Sequence, residues 1–254
     1  MKINTILAAT ISVAFALPLC GCSSQGLSAL SKVSSVTQAL SEGEIASGLK
    51  EALNIGISTG ISQLSKTNGY YNDLATRIGL PSQASIITNN ISKLPGGQAL
   101  VTKVVKNINA AASDAASEAV PIFTSALTSM TIDDAKTILK SGGTTATTYF
   151  KNKTKTPLKN LFGKYINKSI NKKLIGDVSA QSSWNTLTSE WNEVATTTVG
   201  KIAGLKTVNT DLQDHLTDKA VDGIYLKVGE QEKKIRTNVK ERTTELLKKV
   251  FAHQ

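Results

Sequence analysis

Cysteine is nearly absent from these 254 residues: there are two, Cys20 and Cys22, both close to the N-terminus. Beyond them no thiol is left for a disulfide framework, a thiolate metal site or a cysteine nucleophile. Histidine is as scarce, with only His215 and His253, so imidazole acid-base chemistry has few carriers; His253 falls in the extreme tail. Aromatic residues make up 5% and prolines number five, and no Pro-rich spacer divides the chain. No run alternates apolar and polar residues between hairpin turns, and no internal repeat stands out. Serine and threonine abound, yet neither a G-x-S-x-G elbow nor a coherent S-x-x-K set surrounds them. Gly142-Gly143 is too short to cradle a phosphate alone. These absences argue against nucleotide, thiol and serine-nucleophile enzymes, and no cofactor is implied.

The N-terminus is better marked. Lys2 precedes an apolar stretch from Ile6 to Leu19, followed by Leu19-Cys20-Gly21-Cys22-Ser23. That order is the grammar of a signal peptide, and the stretch is short of the roughly 20 apolar residues that span a bilayer. Leu19-Cys20-Gly21-Cys22 resembles the bacterial lipobox, in which the last cysteine is acylated and becomes the new N-terminus. The expected organisation is a signal peptide over 1–21, a lipid anchor at Cys22 with a Ser-rich tether over 22–40, and a helical domain over 41–254. Each buried methylene of an acyl chain adds about 0.8 kcal/mol of membrane affinity, and two chains already exceed marginal binding. Ser23, where an aspartate would by analogy favour inner-membrane retention, points to the periplasmic face of the outer membrane. Nucleic acid is disfavoured as a partner by that compartment.

About 230 residues follow the anchor, enough for a sizeable core, and their pattern is helical. Ser41 and Glu44 form a capping box ahead of Ile45, Leu49, Leu53, Ile57, Ile61 and Leu64. A parallel row of Gly48, Ala52, Gly56 and Gly60 predicts close helix packing, and Thr67-Asn68-Gly69 ends the helix. Tyr70 to Arg77 reads as a short helix. Ser82 is a cap for another to Leu94, and Gln98 to Val120 is the expected central helix. Thr131 with Asp134 marks one more start. Thr144 to Phe150 is ambiguous, and a clear pattern resumes at Pro157, where Leu158, Leu161, Phe162, Tyr165, Ile166 and Ile170 share a face. Ser183 to Val199 turns both tryptophans inward. Thr217 and Asn238 are read as caps of the last two helices. The fold class is all-α, a single multi-helix bundle-like domain.

Charge is unevenly spread. Between Lys136 and Lys173 there is no Asp or Glu, and Lys151, Lys153, Lys155, Lys159, Lys164, Lys168, Lys172 and Lys173 form a candidate basic contact surface. It suits an anionic lipid, an acidic envelope polymer or a protein partner, although a solvated face is the commonest use of such a run. His215 with Asp211, Asp214 and Asp218 is a weak candidate metal site, set against an acidic helix start favoured by the helix dipole. Glu232 and Arg236 are spaced for a surface i,i+4 pair worth about 0.2 to 0.5 kcal/mol.

Three stretches carry a resemblance. They are ASGLKEALNIGISTGISQLSKTNGYYND over 46–73, AVPIFTSALTSMTIDDAKTILKSGG leading into TTATTYF over 119–150, and LQDHLTDKAVDGIYLKVGEQEKKIRTNVKERTTELLKKVF over 212–251. They resemble the uncharacterised bacterial lipoprotein family catalogued as domain of unknown function 4197; between Lys153 and Val208 the resemblance is not legible. It implies an all-helical secreted or lipid-anchored domain and transfers no catalytic residues. The expectation is a non-enzymatic binding or assembly-support module. Alternatives are a carrier of an apolar ligand between helices, or a carboxylate-based enzyme acting on cell-wall material.

Overall fold

A computed structural model describes residues 40–252, and they are helical with one isolated antiparallel bridge, Ile175 to Val178. The first helix, α1 (Glu42–Leu64), starts at the capping box: Ser41 Oγ accepts from Glu44 N at 3.2 Å and Glu44 Oε2 accepts from Ser41 N at 2.8 Å. Turns and short 3₁₀ segments then flank α2 (Ser85–Asn89) and lead to α3 (Gly97–Ala116), α4 (Val120–Thr128) and α5 (Ile132–Ser141). The long α6 (Thr145–Ile170) is followed by α7 (Ala180–Thr196), the one-turn α8 (Thr198–Ile202), the long α9 (Leu212–Thr237) and α10 (Glu245–Val250).

The centre of the bundle is α9, packed against α1 on one side and α6 on the other. Gly60 lies against Lys227 and Gly56 against Gln231, so α1 and α9 are antiparallel; Gly163 at Thr217 and Thr154 at Tyr225 show that α6 and α9 are too. The small-residue row of α1 is the contact. A Cβ on Gly60 would sit 3.1 Å from the Lys227 carbonyl carbon, and one on Gly48 would sit 2.6 Å from Val250 Cγ2. At Gly60 the close approach of two backbones requires glycine, whereas Gly48 makes room for the Val250 side chain of α10. Phe123, Phe150 and Tyr225 meet edge to face at centroid distances of 6.1 and 5.6 Å in the middle of the core.

Several expected boundaries move. Tyr70 to Arg77 is a series of turns, not a helix, with Asn68 before it at φ +60°. Ser82 to Leu94 is broken into two 3₁₀ turns around α2, and Pro81, not Ser82, precedes the first. Asn90 Nδ2 donates to Ile86 O at 3.0 Å, a local side-chain bond of the kind that competes with helix propagation. Thr217 is buried inside α9 and bonds to Gln213 O at 2.7 Å, while Asp211 is the cap. The apolar stripe runs back through Leu212, so the helix begins earlier. Asn238 caps only a 3₁₀ turn, and Thr244 caps α10. Val199 falls on α8 and Leu161 is 46% exposed, outside the buried stripe of α6.

That stripe consists of Ala146, Phe150, Thr154, Leu158, Phe162, Ile166 and Ile170. A spacing of four exceeds the helical 3.6, so the buried line winds around α6 as it advances. Pro157 sits exposed within the helix. Among the described residues no helix is long and apolar enough to cross a membrane.

Candidate functional site

The irregular segment from Tyr70 to Pro81 lies along α9 and is fastened to both α3 and α9. Tyr70 is fully buried; its Oη donates to Ala220 O at 2.7 Å and its N donates to Ser113 Oγ at 3.2 Å. Its ring occupies the place of a side chain at Gly223, where an added Cβ would be 2.7 Å from Cε1. Asp73 pairs with Lys227, which also reaches Glu230 at 2.7 Å. Burial pulls the Lys227 ammonium down, but its two carboxylate partners outweigh this and raise it, while the Lys227 bond holds Asp73 below the usual carboxylate range. Asn109 clamps Ile78 from both sides, accepting from its N at 2.8 Å and donating to its O at 2.7 Å. These bonds replace the ladder that an irregular backbone lacks.

Between this segment and α9 runs a groove of about 490 Å³. One wall is Thr76, Arg77, Ile78, Gly79 and Leu80; the other is the outward row His215, Lys219, Asp222 and Leu226 of α9. Arg77 is exposed, lies over the Tyr71 ring at 4.6 Å and donates from Nε to Tyr71 O at 2.5 Å. Lys219 and Asp222 are exposed on the opposite rim. Thr76 is 4% exposed and its Oγ1 has no hydrogen-bond partner. The His215 ring is half-buried and bonds through Nε2 to Gly79 O at 2.9 Å. A carbonyl only accepts, so Nε2 carries the proton and Nδ1 the lone pair. Burial pushes His215 below its ordinary value, assisted by Lys219 and opposed by the Gly79 carbonyl and Asp218. The ring is neutral near pH 7.

The four residues of the candidate metal site do not converge. Asp211 accepts from Gln213 N and Asp214 N as the α9 cap, Asp218 pairs with Lys159 at 2.8 Å, Asp214 is exposed in the first turn, and His215 turns to Gly79. Among the described residues no His/Cys/Asp/Glu cluster is arranged to hold a metal.

The lysines divide because the buried stripe of α6 winds. Lys151, Lys155 and Lys159 each follow a buried position by one residue and flank α9, with Lys151 6.0 Å from the Tyr225 ring and Lys159 on Asp218. Lys164 and Lys168 fall midway between positions of that stripe and are exposed, Lys168 5.6 Å from the Tyr165 ring; Lys172, beyond the end of α6 at Ile170, binds Asp114 at 2.6 Å. Lys153 approaches the Tyr149 ring and Lys173 is exposed beyond the helix. The segment carries two rows, not one face.

The expected surface pair Glu232–Arg236 is buried. The two residues are 5% and 8% exposed. Glu232 accepts from Arg236 Nε and Nη2 at 3.1 and 3.0 Å, and from Ala146 N, Thr147 N and Thr147 Oγ1 at 3.0, 2.8 and 2.8 Å. One carboxylate therefore caps α6 from another helix. Arg236 reaches Ile138 O, and Arg242 donates to Ile235 O and Arg236 O. The clue is a row at four-residue spacing, Ala220, Ile224, Val228, Glu232, Arg236, which places both charges on the core face of α9. Cys22 and His253 lie outside the described residues.

The model of a family described as a protein of unknown function, DUF4197, matches residues 39–252. The chain belongs to the DUF4197 family. The match runs through Lys153 to Val208, where the three quoted stretches show no resemblance, so α6, α7 and α8 are part of the DUF4197 domain. No curated protein and no solved structure matches the chain.

Proposed function

We propose that this DUF4197 protein is a non-enzymatic, lipid-anchored component of the cell envelope. Acyl chains on Cys22 hold it at the periplasmic face of the outer membrane, and the helical domain binds an acidic partner, polymer or protein, in the groove between Tyr70–Pro81 and α9. The observation that carries this reading is the way the groove is made. An irregular segment presenting Arg77 is fixed by Tyr70, Asp73 and Asn109 against a helix presenting Lys219, the usual arrangement of a recognition loop on a rigid scaffold. The lysine rows of α6 add a positive field that favours the same class of partner.

The alternatives have less support. A paired-carboxylate enzyme needs two acids facing one cleft, and among the described residues the groove is lined by one, Asp222. An apolar carrier needs room between helices, whereas the gap between α1 and α9 bounded by Leu49, Leu53, Val228 and Phe251 is about 10 Å³, room for about one water.

A photoreactive side chain placed at position 219 in living cells tests the groove. A crosslinked adduct that disappears on Arg77→Glu is expected, with a control probe at position 164 giving a different pattern. Equal adducts from both positions, insensitive to Arg77→Glu, would remove the groove from the reading. The anchor is tested separately by the mass of the mature N-terminal peptide, expected to start at an acylated Cys22.

A further inference from the structure

Helix α8 carries two of the most solvent-exposed large apolar side chains of the described residues, Val199 at 77% and Ile202 at 82%. Three residues apart on one turn, they share a face. The surrounding stretch 196–207, TTTVGKIAGLKT, contains no acid and places exposed Lys201 and Lys206 beside them. The tip is held in shape. Trp191 Nε1 donates to Lys206 O at 2.9 Å, and Asn192 pairs with Val208, accepting from its N at 2.8 Å and donating to its O at 3.1 Å. Thr197 Oγ1 caps α8 by accepting from Gly200 N at 2.9 Å. Single exposed apolar residues are ordinary; a braced apolar pair with two lysines beside it, on the short helix between α7 and α9, calls for a partner.

The size and charge of the tip select its partner. One helical turn is far too small for a stable protein interface, which needs about 1,000 Å² or more. A bilayer makes no such demand, because side chains insert one by one. Each of the two apolar side chains contributes roughly tenfold to a hundredfold in partition on leaving water, and each lysine about fivefold at an anionic surface. That is weak for a protein in solution and sufficient for one already confined near a membrane.

We propose that α8 is a lipid-contact tip: Val199 and Ile202 enter the headgroup boundary of an anionic leaflet while Lys201 and Lys206 meet its phosphates. Confinement near the bilayer rests on the Cys22 anchor of the proposed function; the contact itself does not.

The test uses the mature acylated protein carrying Ala203→Cys, labelled with an environment-sensitive fluorophore, since the acylated Cys22 thioether takes no label. On vesicles of phosphatidylglycerol and phosphatidylethanolamine the emission is expected to shift to the blue, and less so on phosphatidylcholine. Val199→Asp with Ile202→Asp is expected to abolish the shift while the protein still floats with the vesicles and keeps its circular dichroism. Floating protein with a water-like label overturns the tip and leaves the anchor standing. Protein that does not float speaks against the anchor; the label must then still shift in excess anionic vesicles, with at least a tenfold loss of affinity in the double variant, or the tip falls as well. A blue shift without vesicles would assign the tip to a contact within the protein and also overturn it.

Discussion

Glu232 shows how much one side chain can carry. It neutralises Arg236 and caps α6 at once, so its removal takes the carboxylate from a buried guanidinium and the acceptor from two helix-start N–H groups. Glu232→Ala is expected to cost about 3 to 5 kcal/mol in urea unfolding, the range for breaking a buried pair from one side. Changing both members, Glu232→Met with Arg236→Met, is expected to cost less than the sum of the two single changes, because no lone charge remains. His215 gives a pH test. Its folded value lies below the ordinary histidine value of about 6.5, so the folded state binds fewer protons than the unfolded chain. The corresponding stability is complete above that ordinary value and drains as pH falls through the lowered one. Unfolding curves at pH 7.5 and pH 5 should therefore separate more in the native protein than in His215→Gln.

At the scale of elements, the segment Tyr70–Pro81 and helix α6 are the instructive cases. Gly223→Ala would drive a methyl into the Tyr70 ring, and a loss of about 1 to 3 kcal/mol is expected from the forced repacking; Tyr70→Phe, which loses only the bond to Ala220 O, should cost about 1 kcal/mol. Pro157→Ala in α6 restores a donor at an exposed interior position and is expected to raise stability by up to about 3 kcal/mol. The helix starts at Ser41 with Glu44 and at Thr131 with Asp134 were legible in the sequence because the partners are three residues apart. The start of α6 was not, since Thr-rich 144–150 has no local cap and depends on Glu232, 85 residues away from Thr147. Nor was the groove: His215, Lys219, Asp222 and Leu226 form a polar helix row like many others until Asn109 and Tyr70 bring the opposite wall to it. Local spacing reveals helices, but it cannot show which loop comes to rest on which face.

Across the whole molecule, positive charge is distributed in rows instead of gathered in one patch, and the exposed apolar tip is separate from both rows. A closely packed core with little interior room predicts that the domain, purified from its own compartment without harsh detergent, is ligand-free by native mass spectrometry; a co-purified lipid mass would revive the carrier reading. The pairing of α1 with α9 has a consequence for how the chain matures. The first helix of the domain has its long partner near the other end, and α6 obtains its cap from that same distant helix. Contacts so far apart in sequence close slowly and late. A chain emerging from the ribosome thus holds no complete core until its final few dozen residues exist. On the export route that the proposed function requires, the topology itself would act as a timer, keeping the chain open for threading until almost all of it has been made.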